Sequence, residues 1–205
     1  MRIHGWLRRL AGIVSALFLS LSLSACAGAR GPLDVDFKAE KNPPRGYLVY
    51  CSRVPGLCGD QRNELVWLTK ARWDELVKVN DAVNSKTVAE TDQDGFGLLD
   101  YWTVAAGAGD CEDLALAKRE ALVKLGWPKS ALLLAVADTR GADARGAPAG
   151  PERHVVLLAF TDQGTYVLDN LARQIVDWTK ANYRWTAVES AGNPLAWQGV
   201  KRTAR

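Results

Sequence analysis

Gly109-Asp110-Cys111-Glu112-Asp113-Leu114-Ala115-Leu116-Ala117-Lys118-Arg119-Glu120-Ala121-Leu122 sets a cysteine at the mouth of a helix. The helix runs on to Gly126-Trp127-Pro128, a C-terminal stop, with Leu114, Ala117, Ala121, Leu122 and Leu125 as its apolar face. A helix N-terminus carries partial positive charge and unpaired N–H groups, so a thiol there is expected to ionise more readily than a free one. Cys111 lies three residues before Leu114, which turns it toward the core side of the helix. Asp110 and Glu112 flank it, and negative charge beside a thiol acts in the opposite sense.

Downstream, apolar runs alternate with turn-formers. Ala131 to Ala137 is a continuous apolar run, the pattern of a central strand, and Thr139 to Arg153, full of Ala, Gly, Pro and Arg, reads as a flexible excursion. His154 to Phe160 and Thr165 to Asp169 read as a hairpin around Thr161-Asp162-Gln163-Gly164. That loop sets Phe160 opposite Thr165 and Val156 opposite Asp169, so His154 and Asp169 sit diagonally on one face, within reach of each other. Upstream, Leu65, Leu68, Trp73, Leu76, Val77, Val79, Val83 and Val88 recur at helical intervals and predict a long amphipathic helix broken near Asn84-Ser85. Thr91 to Asp100 reads as a loop dense in carboxylates.

At the N-terminus, Arg2, Arg8 and Arg9 precede an apolar run from Ala11 to Leu23, too short for a membrane span, so residues 1–25 read as an export signal. Leu23-Ser24-Ala25-Cys26 fits lipid attachment to Cys26, and Ala25-Cys26-Ala27 also fits ordinary signal cleavage; the lipidated form is the preferred reading. Residues 26–46 then read as a tether rich in Gly, Pro and charge, 47–200 as one folded domain and 201–205 as a tail. The leader holds three of the 26 basic residues and none of the 23 acidic ones, so the rest of the chain is near neutral and makes no electrostatic case for nucleic acid. In an oxidising compartment Cys51 and Cys58 are near enough in sequence to pair, which leaves Cys111 over; two buried thiols are the alternative.

Cys111, His154 and Asp169 together supply a nucleophile, a base and a group to orient the base. Other chemistries fit the composition less well. His154 is the one histidine after the leader and no Cys-x-x-Cys pair exists, which excludes a histidine-rich zinc site. There is no Gly-x-Ser-x-Gly elbow for a serine triad and no phosphate loop. A glycosidase needs only two carboxylates and stays open as a weaker option.

The Gly109–Arg119 motif, followed by Leu-Gly-Trp-Pro, His-Val-Val-Leu and Thr-Asp-Gln-Gly-Thr-Tyr-Val-Leu-Asp-Asn-Leu, resembles the bacterial transglutaminase-like cysteine proteinases of the LapG type. The likeness extends upstream through Val79–Asn84, Thr91-Asp92 and Asp100-Tyr101-Trp102, and downstream from Tyr183 to Trp197. The resemblance implies an α+β, papain- or transglutaminase-like fold with the cysteine helix packed on an antiparallel sheet. It implies Cys111 as nucleophile, His154 as general base and acid, and Asp169 as the group that holds the imidazole. It further implies calcium held close by through Asp110 and Glu112. Six to eight oxygens are needed, so carbonyls, waters or Asp92, Asp94 and Asp100 would complete the set. LapG-type members work in the periplasm, cut a large surface adhesin near its N-terminus to release biofilm cells, and are restrained by an inner-membrane receptor for cyclic di-GMP. Three departures stand out: a short segment between Trp102 and Gly109, Glu189-Ser190 where Gln-Ser is expected, and the 139–153 excursion.

The leading expectation is an exported cysteine endopeptidase, touching the membrane only through the Cys26 lipid. Transamidation, in which an amine intercepts the acyl-enzyme, shares the same residues. A non-catalytic, lipid-tethered binding module of the same fold is the rival from another class, disfavoured by the intact Cys111, His154 and Asp169.

Overall fold

The computed structural model describes residues 37–58, 64–139 and 152–200. The export signal, Cys26, the 201–205 tail and most of the 139–153 excursion lie outside the described residues. In chain order the elements are β1 (Phe37–Lys41), α1 (Arg45–Arg53), α2 (Lys70–Lys86), β2 (Val88–Ala89), α3 (Asp92–Phe96), β3 (Ala108–Gly109), α4 (Cys111–Lys124) and β4 (Leu132–Thr139). They continue with β5 (Arg153–Thr161), β6 (Gly164–Leu168), β7 (Val176–Asp177), β8 (Tyr183–Glu189) and β9 (Trp197–Val200).

Among the described residues, seven strands form one antiparallel sheet in the order β1-β9-β8-β4-β5-β6-β7. The apolar run of β4 lies between β5 and β8, the central place its composition predicts. Leu132, Leu134, Ala135, Leu157, Leu158 and Ala159 on β4 and β5 are fully buried. Helix α4 packs on β5 and α2 packs on α4, so the cysteine-bearing helix is sandwiched between the sheet and a second helix. This is the expected α+β arrangement. None of the helices among the described residues is long and apolar enough to cross a membrane.

Three expectations need correction. The stretch 26–46 is not tether throughout, because Phe37–Lys41 is already a strand, paired with β9, and α1 begins at Arg45. Proline and charge hid a short edge strand, which pairs with β9. The upstream helix starts at Lys70 rather than Leu65, since Thr69 caps it by accepting the Arg72 N–H at 3.2 Å, while Val66 bridges to Thr161 of β5. It is unbroken through Asn84-Ser85, and Val88 belongs to β2. Finally, the loop 91–100 contains a single helical turn, α3, capped by Thr91.

Cys51 and Cys58 form a disulfide across a Cα separation of 5.5 Å, tying the end of α1 to the turn that follows it. Tyr47 on α1 packs edge-on against Trp102 at 5.5 Å and Trp197 at 5.4 Å between ring centres. Gly46 permits that approach, because a Cβ there would stand 2.3 Å from Trp102 and 2.6 Å from Asp100. The Tyr47 hydroxyl donates to Glu189 at 2.5 Å, and Glu189 also accepts from Arg119 at 2.7 Å and from the Leu134 N–H at 3.0 Å. Glu189 therefore answers a buried guanidinium on α4, a charge that the apolar face read from the sequence did not anticipate.

Candidate active site

Cys111 is the first residue of α4, and Asp110 is its N-cap residue without a side-chain cap. Two short pairings fix the approach: β2 runs parallel to β3, and the Glu90 N–H donates to the Gly109 carbonyl at 3.2 Å. Gly109 has φ +155°, and a Cβ there would meet Asp113 at 2.8 Å, so glycine is what lets Asp113 fold back beneath the turn. Asp113 then accepts the Thr103 N–H at 2.7 Å.

The hairpin has the register its sequence predicts, with Phe160 opposite Thr165, and the strands pair one step further, Thr161 opposite Gly164. His154 lies on β5 and Asp169 directly after β6, both buried. His154 Nε2 and Asp169 Oδ1 are 2.8 Å apart. Asp169 Oδ1 also accepts the Leu171 N–H at 3.0 Å, its Oδ2 accepts the Tyr183 hydroxyl, and its carbonyl accepts Asn84 Nδ2 at 2.7 Å. Burial would raise the Asp169 carboxyl, but the His154 hydrogen bond and charge, with Tyr183 and Leu171, hold it below the ordinary range. The thiol is packed against the same strand: the N–H of Val155, the residue after His154, donates to Cys111 Sγ at 3.4 Å. With Nε2 committed to Asp169, Nδ1 is the ring atom available to a thiol.

The thiol itself does not show the ease of ionisation expected from its helix terminus. It donates to Glu112 Oε2 at 3.0 Å. Burial first, then the charge and hydrogen bond of Glu112, push the Cys111 thiol well above its usual range, while the Val155 N–H opposes them and Asp110 adds to them. Two turns on along the same face, Lys118 is buried, and burial pushes its ammonium down to about 8 against the pull of the Asp169 charge.

Beside the thiol lies a cluster of carboxylates. Asp110 and Glu112 group with Cys111, Asp92 groups with Asp110 and Asp113, and Asp92 and Asp100 group with Glu112, each set with ligand atoms within 4.8 Å of one another. Burial raises the carboxyls of Asp110, of Glu112 to about 8 and of Asp113 to about 7, and neighbouring acids add to the effect. Asp110 Oδ1 and Asp113 Oδ2 are buried without a hydrogen-bond partner. Convergent, underprotected carboxylate oxygens of this kind fit a hard cation. Asp92 thus lies near both Asp110 and Glu112, and Asp100 near Glu112, whereas Asp94 accepts the Thr91 hydroxyl at 2.7 Å in the cap of α3. Sequence reasoning missed Asp113; the signal was three acids within one turn of Gly109. It also missed Tyr183 as a partner of Asp169, since no local pattern links β8 to the end of β6.

The profile of the bacterial transglutaminase-like cysteine proteinases (BTLCP) matches residues 37–205. Among solved structures, Legionella pneumophila LapG is similar at 22% identity, covering 72% of this chain and 74% of that chain with a TM-score of 0.46. Its calcium-bound form matches at 20% identity over 82% and 84% (TM-score 0.49), and its EGTA-treated form at 22% over 78% and 77% (TM-score 0.47). None of the curated proteins matches the chain. With the family profile spanning the sheet, the cysteine helix and the hairpin, the chain belongs to the bacterial transglutaminase-like cysteine proteinases and is a cysteine peptidase.

Proposed function

We propose that this chain is an exported endopeptidase that cleaves the N-terminal region of a large surface adhesin with Cys111 as nucleophile, His154 as base and acid, and Asp169 as the residue orienting the imidazole. The observation that carries the reading is the His154–Asp169 hydrogen bond on a hairpin whose next residue, Val155, touches the Cys111 sulfur. Asp169 fixes the His154 tautomer, and His154 takes the thiol proton as sulfur attacks the scissile carbonyl. The oxyanion that forms lies against N–H groups of the first turn of α4. His154 returns the proton to the leaving amine, the C–N bond breaks, and a thioester remains on Cys111. A water, deprotonated by His154, then attacks the thioester and releases the acid and the free thiol.

Calcium is the cation that the oxygen-only cluster of Asp92, Asp100, Asp110, Glu112 and Asp113 suits, and when bound it supplies positive charge that neutralises these carboxylates. With its charge so neutralised, Glu112 would be a weaker acceptor of the thiol hydrogen and would oppose thiol ionisation less. The calcium-bound form of the Legionella relative supports this assignment. The reading includes a periplasmic site of action, a lipid on Cys26 and restraint by a membrane receptor for cyclic di-GMP, all drawn from the leader and the family.

The test is cleavage of a purified adhesin N-terminal fragment. Cys111→Ala is expected to abolish it; undiminished cleavage by that variant would eliminate the proposal.

A further inference from the structure

We propose that Tyr183 is a positioning residue of this active site, its hydroxyl holding the Asp169 carboxylate in the orientation that receives His154 Nε2. The inference rests on the reading of Cys111, His154 and Asp169 as one catalytic unit. A carboxylate turns readily about its terminal torsion, so one anchored oxygen does not fix its plane. Asp169 Oδ1 is shared between His154 Nε2 at 2.8 Å and the Leu171 N–H at 3.0 Å. Oδ2 is held from a different strand, by the hydroxyl of Tyr183 on β8. With Asn84 Nδ2 on the Asp169 carbonyl at 2.7 Å, the residue is pinned at its backbone and at each carboxylate oxygen.

A distortion of the sheet puts Tyr183 there. Val136 pairs with Ala187, so regular pairing would set Ala137 opposite Thr186; instead Ala137 pairs with Trp185 and Thr139 with Tyr183. The extra residue, Thr186, bonds its hydroxyl to the Val136 carbonyl at 2.9 Å. One inserted residue reverses the in-and-out alternation of the strand beyond it. Ala137 also pairs with His154, so Trp185 and His154 stand in one row across β4, and Tyr183, two residues from Trp185, shares their face. Without the bulge Arg184 would occupy that place. The Tyr183 ring lies 5.6 Å from the His154 ring and 5.6 Å edge-on to Trp185, which keeps the phenol aimed. The buried Lys118 of α4 is the further charged group acting on Asp169, and it leaves the hydrogen bond to Oδ2 to the tyrosine.

The test compares wild type, Tyr183→Phe, Asp169→Asn and His154→Ala in calcium-containing buffer. Two readouts are taken: the rate of iodoacetamide alkylation of Cys111 by intact mass, and nitrogen-15 NMR of the His154 imidazole in the folded protein. Tyr183→Phe keeps the ring and removes only the hydroxyl. It is expected to slow alkylation about tenfold or more toward the Asp169→Asn rate and to convert a single Nε2-protonated tautomer into a mixture. Because the NMR readout is taken on folded molecules, a loss of stability leaves the test valid. A wild-type rate together with a wild-type imidazole spectrum in Tyr183→Phe overturns the proposal. A wild type that reacts no faster than His154→Ala and Asp169→Asn overturns the underlying catalytic reading, and this proposal with it.

Discussion

Burial and, after it, Glu112 hold Cys111 as a thiol. The Glu112 carboxylate accepts the thiol hydrogen of Cys111 at 3.0 Å, in a pocket where burial raises Asp110, Glu112 and Asp113 together. Carboxyls whose folded values lie above their unfolded ones stabilise the fold while protonated, and that contribution falls as pH rises from about 4 through the values of about 7 for Asp113 and about 8 for Glu112. Metal-free protein is therefore expected to lose thermal stability between pH 5 and pH 8, and calcium to abolish most of that slope. Scanning calorimetry across this pH range, with calcium and with chelator, checks it; parallel curves would remove the metal assignment. Asp110→Ala should behave as chelated wild type in activity. At this scale the sequence exposed Cys111, His154 and Asp169, because each sits in a local pattern, and the structure brings His154 and Asp169 into hydrogen-bond contact beside Val155, whose N–H donates to the Cys111 sulfur. The sequence did not expose Asp113 folded under Gly109, Tyr183 on Asp169, or Glu189 on Arg119, each of which depends on a partner remote in the chain or on a backbone turn.

Helix α4 serves two purposes: its first turn carries the thiol, and its middle carries Lys118 and Arg119 into the interior. Glu189→Gln would leave Arg119 buried without its counter-charge, at an expected cost of about 3 kcal/mol, read from urea unfolding. A change within experimental error would show that the ion pair is dispensable. Around α1, the disulfide between Cys51 and Cys58 closes a loop of sequence separation 7. By loop entropy, Cys58→Ser with Cys51→Ser should lower stability by about 2.5 kcal/mol while leaving Cys111 free to act. Elements built on local signals were legible: the α4 stop at Gly126, the β4 run and the hairpin register. Helix α2 was misplaced at its start because Leu65 and Leu68 continue the apolar spacing, whereas the cap at Thr69 and the bridge from Val66 to β5 draw the preceding residues into the sheet.

Across the whole molecule, the strand order β1-β9-β8-β4-β5-β6-β7 closes distant parts of the chain around one core, and it could not be read from spacing. That order brings β8, and with it Tyr183, beside β4, on whose other side the histidine strand lies. It also draws Phe37–Lys41, well before Tyr47, into the sheet. Anchoring through Cys26 predicts that radiolabelled fatty acid enters the wild type and not Cys26→Ser; absence of label from the wild type would point to simple soluble export. The central claim is that sulfur, imidazole and carboxylate act as one unit. Ultraviolet titration of the thiolate in calcium-loaded Cys26→Ser protein, where Cys111 is the thiol left outside the disulfide among the described residues, tests it directly. The account predicts that the thiolate titration of this protein lies at lower pH than that of the same protein with His154 replaced by alanine. Superimposable titrations with and without His154 would contradict it.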